Sequence, residues 1–213
     1  LSDLAELKNK HLGETIWVLG SGATLDFVKP EFFTDKLVVA TNFSARATGI
    51  KSQYAFTHYH FAAAELASLC DYVVTLRRDT ISRQDWSGEI ADNIVLINQD
   101  SYIGPGSSWN PFTTHAPRPD SLVYGSSSFH GAMHLAAWLG ASSIVLVGAD
   151  CGTLDGETNV PNYFKDNGAY PLALYNRDHK QMKDWLVQEY GVGVYSLNPF
   201  INLNLEGHKF QGV

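Results

Sequence analysis

Cysteine is scarce in this chain of 213 residues: only Cys70 and Cys151 occur. They lie far apart with no second pair, so neither a disulfide framework nor a Cys-x-x-Cys zinc or redox motif can be built from them. Positive charge is also in short supply. Fifteen Lys and Arg face twenty-two Asp and Glu, for a formal charge of −7, whereas a surface that grips nucleic-acid phosphates carries the opposite balance. Nucleic acid is therefore not an expected partner. The longest apolar runs, such as Ile144-Val145-Leu146-Val147, are strand-sized and fall far below the roughly 20 residues that cross a bilayer, so no membrane span is expected. Internal repeats and low-complexity blocks are missing. What is present, 45% apolar residues with 17% charged ones, excludes disorder and collagen and suits one domain, residues 1–213, with a full-sized core.

Residues Leu1 to Lys10 mix Asp3, Glu6, Lys8 and Lys10 with Leu1, Leu4 and Leu7, which reads as an amphipathic helix rather than a secretory signal. Together with the unpaired cysteines this points to a cytoplasmic location. Further along, short apolar runs alternate with helical patterns. The runs are Ile16–Leu19, Leu37–Ala40, Tyr54–Thr57, Tyr72–Thr75, Ile94–Ile97, Ile144–Val147 and Val194–Ser196; the helical patterns are Phe61–Leu69, Ser128–Leu139 and Asp178–Tyr190. Continuous apolar strands imply that both sheet faces are covered. The expectation is an α/β domain with a mainly parallel sheet of about six or seven strands and helices on both faces. Two long stretches with turn chemistry, 98–121 and 148–175, are expected to act as lid-like loops over the carboxyl ends of the strands, where open α/β sheets bind ligands.

Two constellations carry candidate chemistry. In Val18-Leu19-Gly20-Ser21-Gly22-Ala23-Thr24 a strand runs into a glycine turn, where the backbone can approach a phosphate and a following helix can aim N–H groups at it. The dinucleotide fingerprint nevertheless needs a third glycine where Leu25 stands, and an acid after the second strand where Thr41-Asn42 stand, so NAD is a poor fit. The second constellation is Tyr124-Gly125-Ser126-Ser127-Ser128-Phe129-His130, followed by an alanine-rich helix and the strand ending Gly148-Ala149-Asp150. Serines at a helix start can cap it or offer hydroxyl and N–H groups to a phosphate. Asp150 is placed to meet ribose hydroxyls, a metal or a substrate amine, or else to cap the following turn.

In this order, Gly20–Thr24, Ala40-Thr41-Asn42, Ser127-Ser128 and Leu139–Asp150 resemble two related families. One is the bacterial sialyltransferases that use a CMP-activated sugar. The other is the Rossmann-like family that includes archaeal 6-hydroxymethylpterin diphosphokinases and motility accessory factors. The resemblance covers roughly residues 15–60 and 124–200. It implies a single Rossmann-like nucleotide-binding domain in which Gly20, Ser21, Gly22, Thr24, Asn42, His58, Ser127, Ser128 and Asp150 line the nucleotide site. It also implies lid tyrosines, for which Tyr163 and Tyr170 stand here, with Tyr175 on the same stretch, and a histidine base near the last helix, for which His179 stands.

The implied activity is transfer of a sugar from a CMP-linked donor to a glycan or small hydroxyl acceptor, with a small-molecule nucleotide as co-substrate and no tightly bound cofactor. Tyrosine hydroxyls and helix N–H groups would stabilise the departing nucleotide anion, while a neutral histidine takes the acceptor proton. The alternative within the resemblance is a 6-hydroxymethylpterin diphosphokinase-like phosphotransferase using ATP with magnesium, although that branch usually carries Asp where this chain has His58. Two further alternatives are a nucleotide- or glycan-binding protein without catalysis, and a serine hydrolase using Ser127, Asp150 or Asp155, and His179 in that chain order. In the hydrolase reading Phe129 stands where the nucleophile elbow has its second glycine. His130 and His134 are four apart and His58 and His60 two apart, but no Glu or Cys joins them at a metal-binding spacing, so no metal site is expected. Arg77, Arg78 and Arg83 follow the fourth strand, where they can steer an anionic donor.

Overall fold

A computed structural model describes residues 3–79, 82, 84–87, 89–99, 118–123, 125–163, 172–197 and 207–212. Its strands are β1 (Thr15–Leu19), β2 (Leu37–Thr41), β3 (Tyr54–Thr57), β4 (Tyr72–Leu76), β5 (Ile94–Gln99), β6 (Ser121–Leu122), β7 (Ser143–Val147), β8 (Gly152–Leu154), β9 (Gly193–Leu197) and β10 (Phe210–Gly212). The helices are α1 (Ser44–Thr48), α2 (His60–Leu66), α3 (Ser128–Trp138) and α4 (Leu172–Tyr190). Eight strands form one sheet in the order β6-β5-β4-β3-β2-β1-β7-β9, and every pairing in it is parallel. The architecture is thus the expected α/β one, with one strand more than the upper estimate. That strand is β6, whose two residues are too few to show a period.

The chain runs outward from β1 to β6, then returns across the sheet through α3 to place β7 on the other side of β1. This reversal makes the crevice between the carboxyl ends of β1 and β7 a topological switch point, the place where open parallel sheets hold ligands. The crossover is packed tightly. Every residue of α3 is buried, and its small residues let it lie close to the strands: a Cβ on Gly131 would come within 2.3 Å of the Phe56 ring. Met182, Trp185 and Leu186 of α4 join the same core cluster, and α4 packs against both α3 and β9. On the opposite face α2 and Phe43 pack against Ala55, Val73 and Ile94, while Leu25, Phe33 and Val160 pack against Leu19, Val38 and Val147.

Three local expectations change. Residues Leu4–Leu7 form a 3₁₀ turn, not an amphipathic helix; Leu4 and Leu7 are both buried, and the following segment is tied to the end of α3 by Asn9 N–H to the Trp138 carbonyl and His11 N–H to that of Leu139. A three-residue spacing satisfies either geometry. The second lid is partly regular: β8 pairs antiparallel with β10, from the end of the chain. Its last residues belong to α4, so Tyr175 is helical. Of the first lid, residues 100–117 lie outside the described residues, while Asn98 and Gln99 belong to β5, residues 118–120 form a turn and Ser121 opens β6. Among the described residues no helix is long and apolar enough to cross a membrane.

Candidate functional site

The parallel sheet sends the segments after β1, β2, β3 and β7 to one edge, and α3 begins there. The glycine turn after β1 meets the loop after β7 directly. Gly20 N–H donates to the Val147 carbonyl at 2.7 Å and Gly22 N–H to that of Gly148 at 2.8 Å. A Cβ on Gly20 would lie 2.2 Å from the Gly148 oxygen, and one on Gly22 would lie 2.5 Å from the Asp150 carboxylate. Both glycines are therefore accounted for by close packing of two protein loops. The turn leads into a 3₁₀ helix, Ala23–Phe27, rather than an α-helix.

Asp150 reaches across the switch point and accepts from the Thr24 backbone N–H at 2.8 Å and from the Thr24 hydroxyl. It caps the turn after β1, not the turn after itself. Burial pushes its carboxyl above the usual range, opposed by the two hydrogen bonds from Thr24. Asp150→Ala leaves both Thr24 donors without this acceptor and is expected to cost about 1–3 kcal/mol. Urea unfolding of the Ala and Asn variants checks this, the Asn variant retaining part of the clamp. Ser21 is held separately: its hydroxyl donates to Asn159 Oδ1 at 2.7 Å and its carbonyl accepts from Val160 N–H.

Asn42 closes β2 in the left-handed region, φ +50°, a conformation that asparagine tolerates better than most residues. Its Oδ1 accepts from the Thr57 hydroxyl at 2.8 Å and its Nδ2 lies 3.4 Å from Tyr163 Oη. A strand end and the second lid are thereby joined. Tyr163 packs on two of the core clusters as well. Tyr170 lies outside the described residues.

Three serines open α3, and each has a different role. Ser126 donates its backbone N–H to Asp178 of α4 at 3.2 Å. Ser127 is the N-cap: its hydroxyl accepts from Phe129 N–H while its own N–H donates to His130 Nδ1, a reciprocal capping box in which histidine takes the usual Glu place. Ser128 turns to β3, its Oγ 2.9 Å from His58 Nδ1. The hydroxyl that meets a histidine is therefore that of Ser128, not Ser127. Burial lowers the His58 pKa to about 4 against the opposing pull of Asp79, so the ring is neutral at physiological pH and its tautomer sets which of the two groups donates.

His179, on α4, stands edge-on to Phe129 at 5.0 Å and to His130 at 4.8 Å, so α4 brings it to the first turn of α3. Its Nδ1 is 2.9 Å from Cys151 Sγ, and its Nε2 is a buried atom with no hydrogen-bond partner among the described residues. Burial again dominates, lowering the ring to about 4 although Asp178 opposes. Sequence reasoning did not select Cys151, Asn159 or Asp178. The contacts that matter for them cross 28 to 138 positions, and only the fold creates them. Among the described residues no group of three or more His, Cys, Asp or Glu is arranged to hold a metal ion. No family model, curated protein or solved structure matches the chain.

Proposed function

We propose that the protein is a nucleotide-dependent group transferase whose donor is a CMP-activated sugar and whose acceptor is a hydroxyl on a glycan or small molecule. One observation carries this reading: residues expected at a nucleotide site, contributed by the ends of β1, β2, β3 and β7 and by the start of α3, share the carboxyl edge at the topological switch point. Open parallel sheets use that edge for nucleotides. On this reading Asn42 and Ser128 meet the donor, and the lid hydroxyl of Tyr163 and the start of α3 stabilise the departing anion. The hydroxyl and amide groups there are suited to an anion without help from a cation.

The test is thermal unfolding with CMP or CDP, in the presence and absence of magnesium. At a hundredfold excess over Kd a ligand stabilises the native state by about 2.7 kcal/mol, which in a chain of this size raises Tm by roughly 5–10 °C. That rise is expected without magnesium and is expected to shrink in Asn42→Ala and Ser128→Ala. A rise only with ATP, magnesium and a pterin would replace this reading with a diphosphokinase, and no response to any nucleotide would remove it. Binding without turnover of CMP-sugars would leave a nucleotide-binding protein that does not catalyse transfer.

A further inference from the structure

Cys151 and His179 form a half-buried pair that the nucleotide reading did not use. Cys151 directly follows Asp150 at the carboxyl edge, in the left-handed region at φ +46°. A residue with a Cβ pays conformational energy there, and such strain persists when surrounding structure holds it. The Sγ···Nδ1 distance of 2.9 Å is a hydrogen-bonding contact in which one atom must supply the proton. Two protonation states satisfy it. In one the thiol donates to a bare Nδ1 and the ring proton sits on Nε2; in the other Nδ1–H donates to sulfur and Nε2 is bare.

Chemistry favours the first. Burial and the Asp150 carboxylate push the Cys151 thiol up to about 12, with only Lys180 opposing, so sulfur keeps its proton. His179 is kept neutral by burial. Between a neutral thiol and a neutral imidazole, the bare imidazole nitrogen is the better acceptor and the thiol sulfur a weak one. The ring proton then belongs to Nε2, the atom left buried without a partner. An unmatched buried donor carries a desolvation cost that a ligand oxygen would remove.

We propose that Cys151 is a positioning residue: its thiol donates to Nδ1 of His179 and so makes His179 a hydrogen-bond donor, through Nε2–H, to an oxygen of the bound ligand. This replaces the proton-accepting role that the family resemblance implied for His179. That the oxygen belongs to a nucleotide phosphate rests on the proposed function; the thiol-to-imidazole bond does not.

The experiment uses the full chain in a Cys70→Ser background, so that Cys151 is the single thiol. Infrared spectroscopy is expected to show an S–H stretch that is lowered and broadened, and that moves up to the free-thiol position in His179→Phe. Side-chain nitrogen NMR is expected to find His179 protonated at Nε2 only. An S–H band at the free-thiol position, no S–H band at neutral pH, or a proton on Nδ1 would each overturn the proposal. These readings come from the protein with native Cys151 and need no variant at that position. Functionally, Cys151→Ala is expected to weaken CMP binding about tenfold, while Cys151→Ser, whose hydroxyl also donates, stays within about threefold. Equal binding by all three would overturn the positioning role. If CMP does not bind at all while both spectra come out as expected, the nucleotide reading fails and the thiol-to-imidazole bond stands.

Discussion

Acidification from pH 7 to pH 4 is expected to unfold this protein, and buried histidines are the main reason. His58 and His179 are held down to about 4 and His134 to about 3, all chiefly by burial; His130 is also well below its usual value through burial and the neighbouring His179. A ring with a depressed folded-state pKa binds fewer protons when folded than when unfolded. Its contribution is complete above the unfolded value near 6.5 and is lost as pH falls toward the folded value. At about 1.4 kcal/mol per pKa unit, His58 and His179 each contribute on the order of 3 kcal/mol across that window, and His134 somewhat more. The sum is comparable with the whole stability of an ordinary domain, about 5–15 kcal/mol. The transition should therefore be reached before the rings attain their folded-state pKa values.

Asp150 works in the other sense, since its raised pKa makes the folded state bind a proton more readily and gains stability as pH falls. It offsets only part of the histidine loss. Urea unfolding measured between pH 7 and pH 4.5 checks the expectation, and a stability that stays level between pH 6.5 and 5 would refute it. His134 offers the sharper control. Its Nδ1 accepts the Val123 N–H at 2.7 Å and its Nε2 lies 2.6 Å from Tyr190 Oη. His134→Gln should lower stability at pH 7 and also flatten the pH dependence, because one of the titrating groups is gone.

The strands were legible for a simple physical reason. Inner strands of a parallel sheet covered on both faces are apolar along their length, and the seven runs from Ile16–Leu19 to Val194–Ser196 all fall within strands of the sheet, the last on the half-exposed edge strand β9. Helix α3 was legible as well, since a serine cap and an apolar run open it. The pairing of β8 with β10 was not, because three-residue strands far apart in sequence carry no periodic signal. At the candidate site, residue types were legible and partners were not. Asn42 drew notice through the family resemblance and Ser128 as a hydroxyl at a helix start. That Asn42 would face Thr57 and Tyr163, and that Ser128 would face His58, depends on which strands neighbour each other. The same dependence hid the Asp150–Thr24 clamp. The glycine turn illustrates the point most directly, since a small residue beside a phosphate and a small residue beside a carbonyl look identical in sequence.

Gly20→Ala is therefore expected to damage the fold itself, whatever ligand the edge receives. The added methyl would lie 2.2 Å from the Gly148 oxygen and 2.9 Å from its carbonyl carbon, both backbone atoms, with the Phe129 ring at 3.2 Å behind them. Backbone of this kind cannot swing aside as a side-chain tip can. To make room, the ends of β1 and β7 would have to part, which breaks the 2.7 Å bond from Gly20 N–H to the Val147 carbonyl. A loss of roughly 3 kcal/mol or more, at or above the top of the usual overpacking range, follows. Gly22→Ala differs in kind. Its methyl meets the Asp150 carboxylate at 2.5 Å, with the Gly148 oxygen at 2.7 Å, so it would also displace the clamp on Thr24. Combining Gly22→Ala with Asp150→Ala should then cost less than the sum of the two single changes, because both act on one clamp. Denaturant unfolding of the two single variants and the double measures that coupling, and strict additivity would show that the glycine and the carboxylate act independently. A Gly20→Ala protein as stable as the native one would mean that the ends of β1 and β7 are not in contact, and the switch-point crevice on which the candidate site is built would go with them.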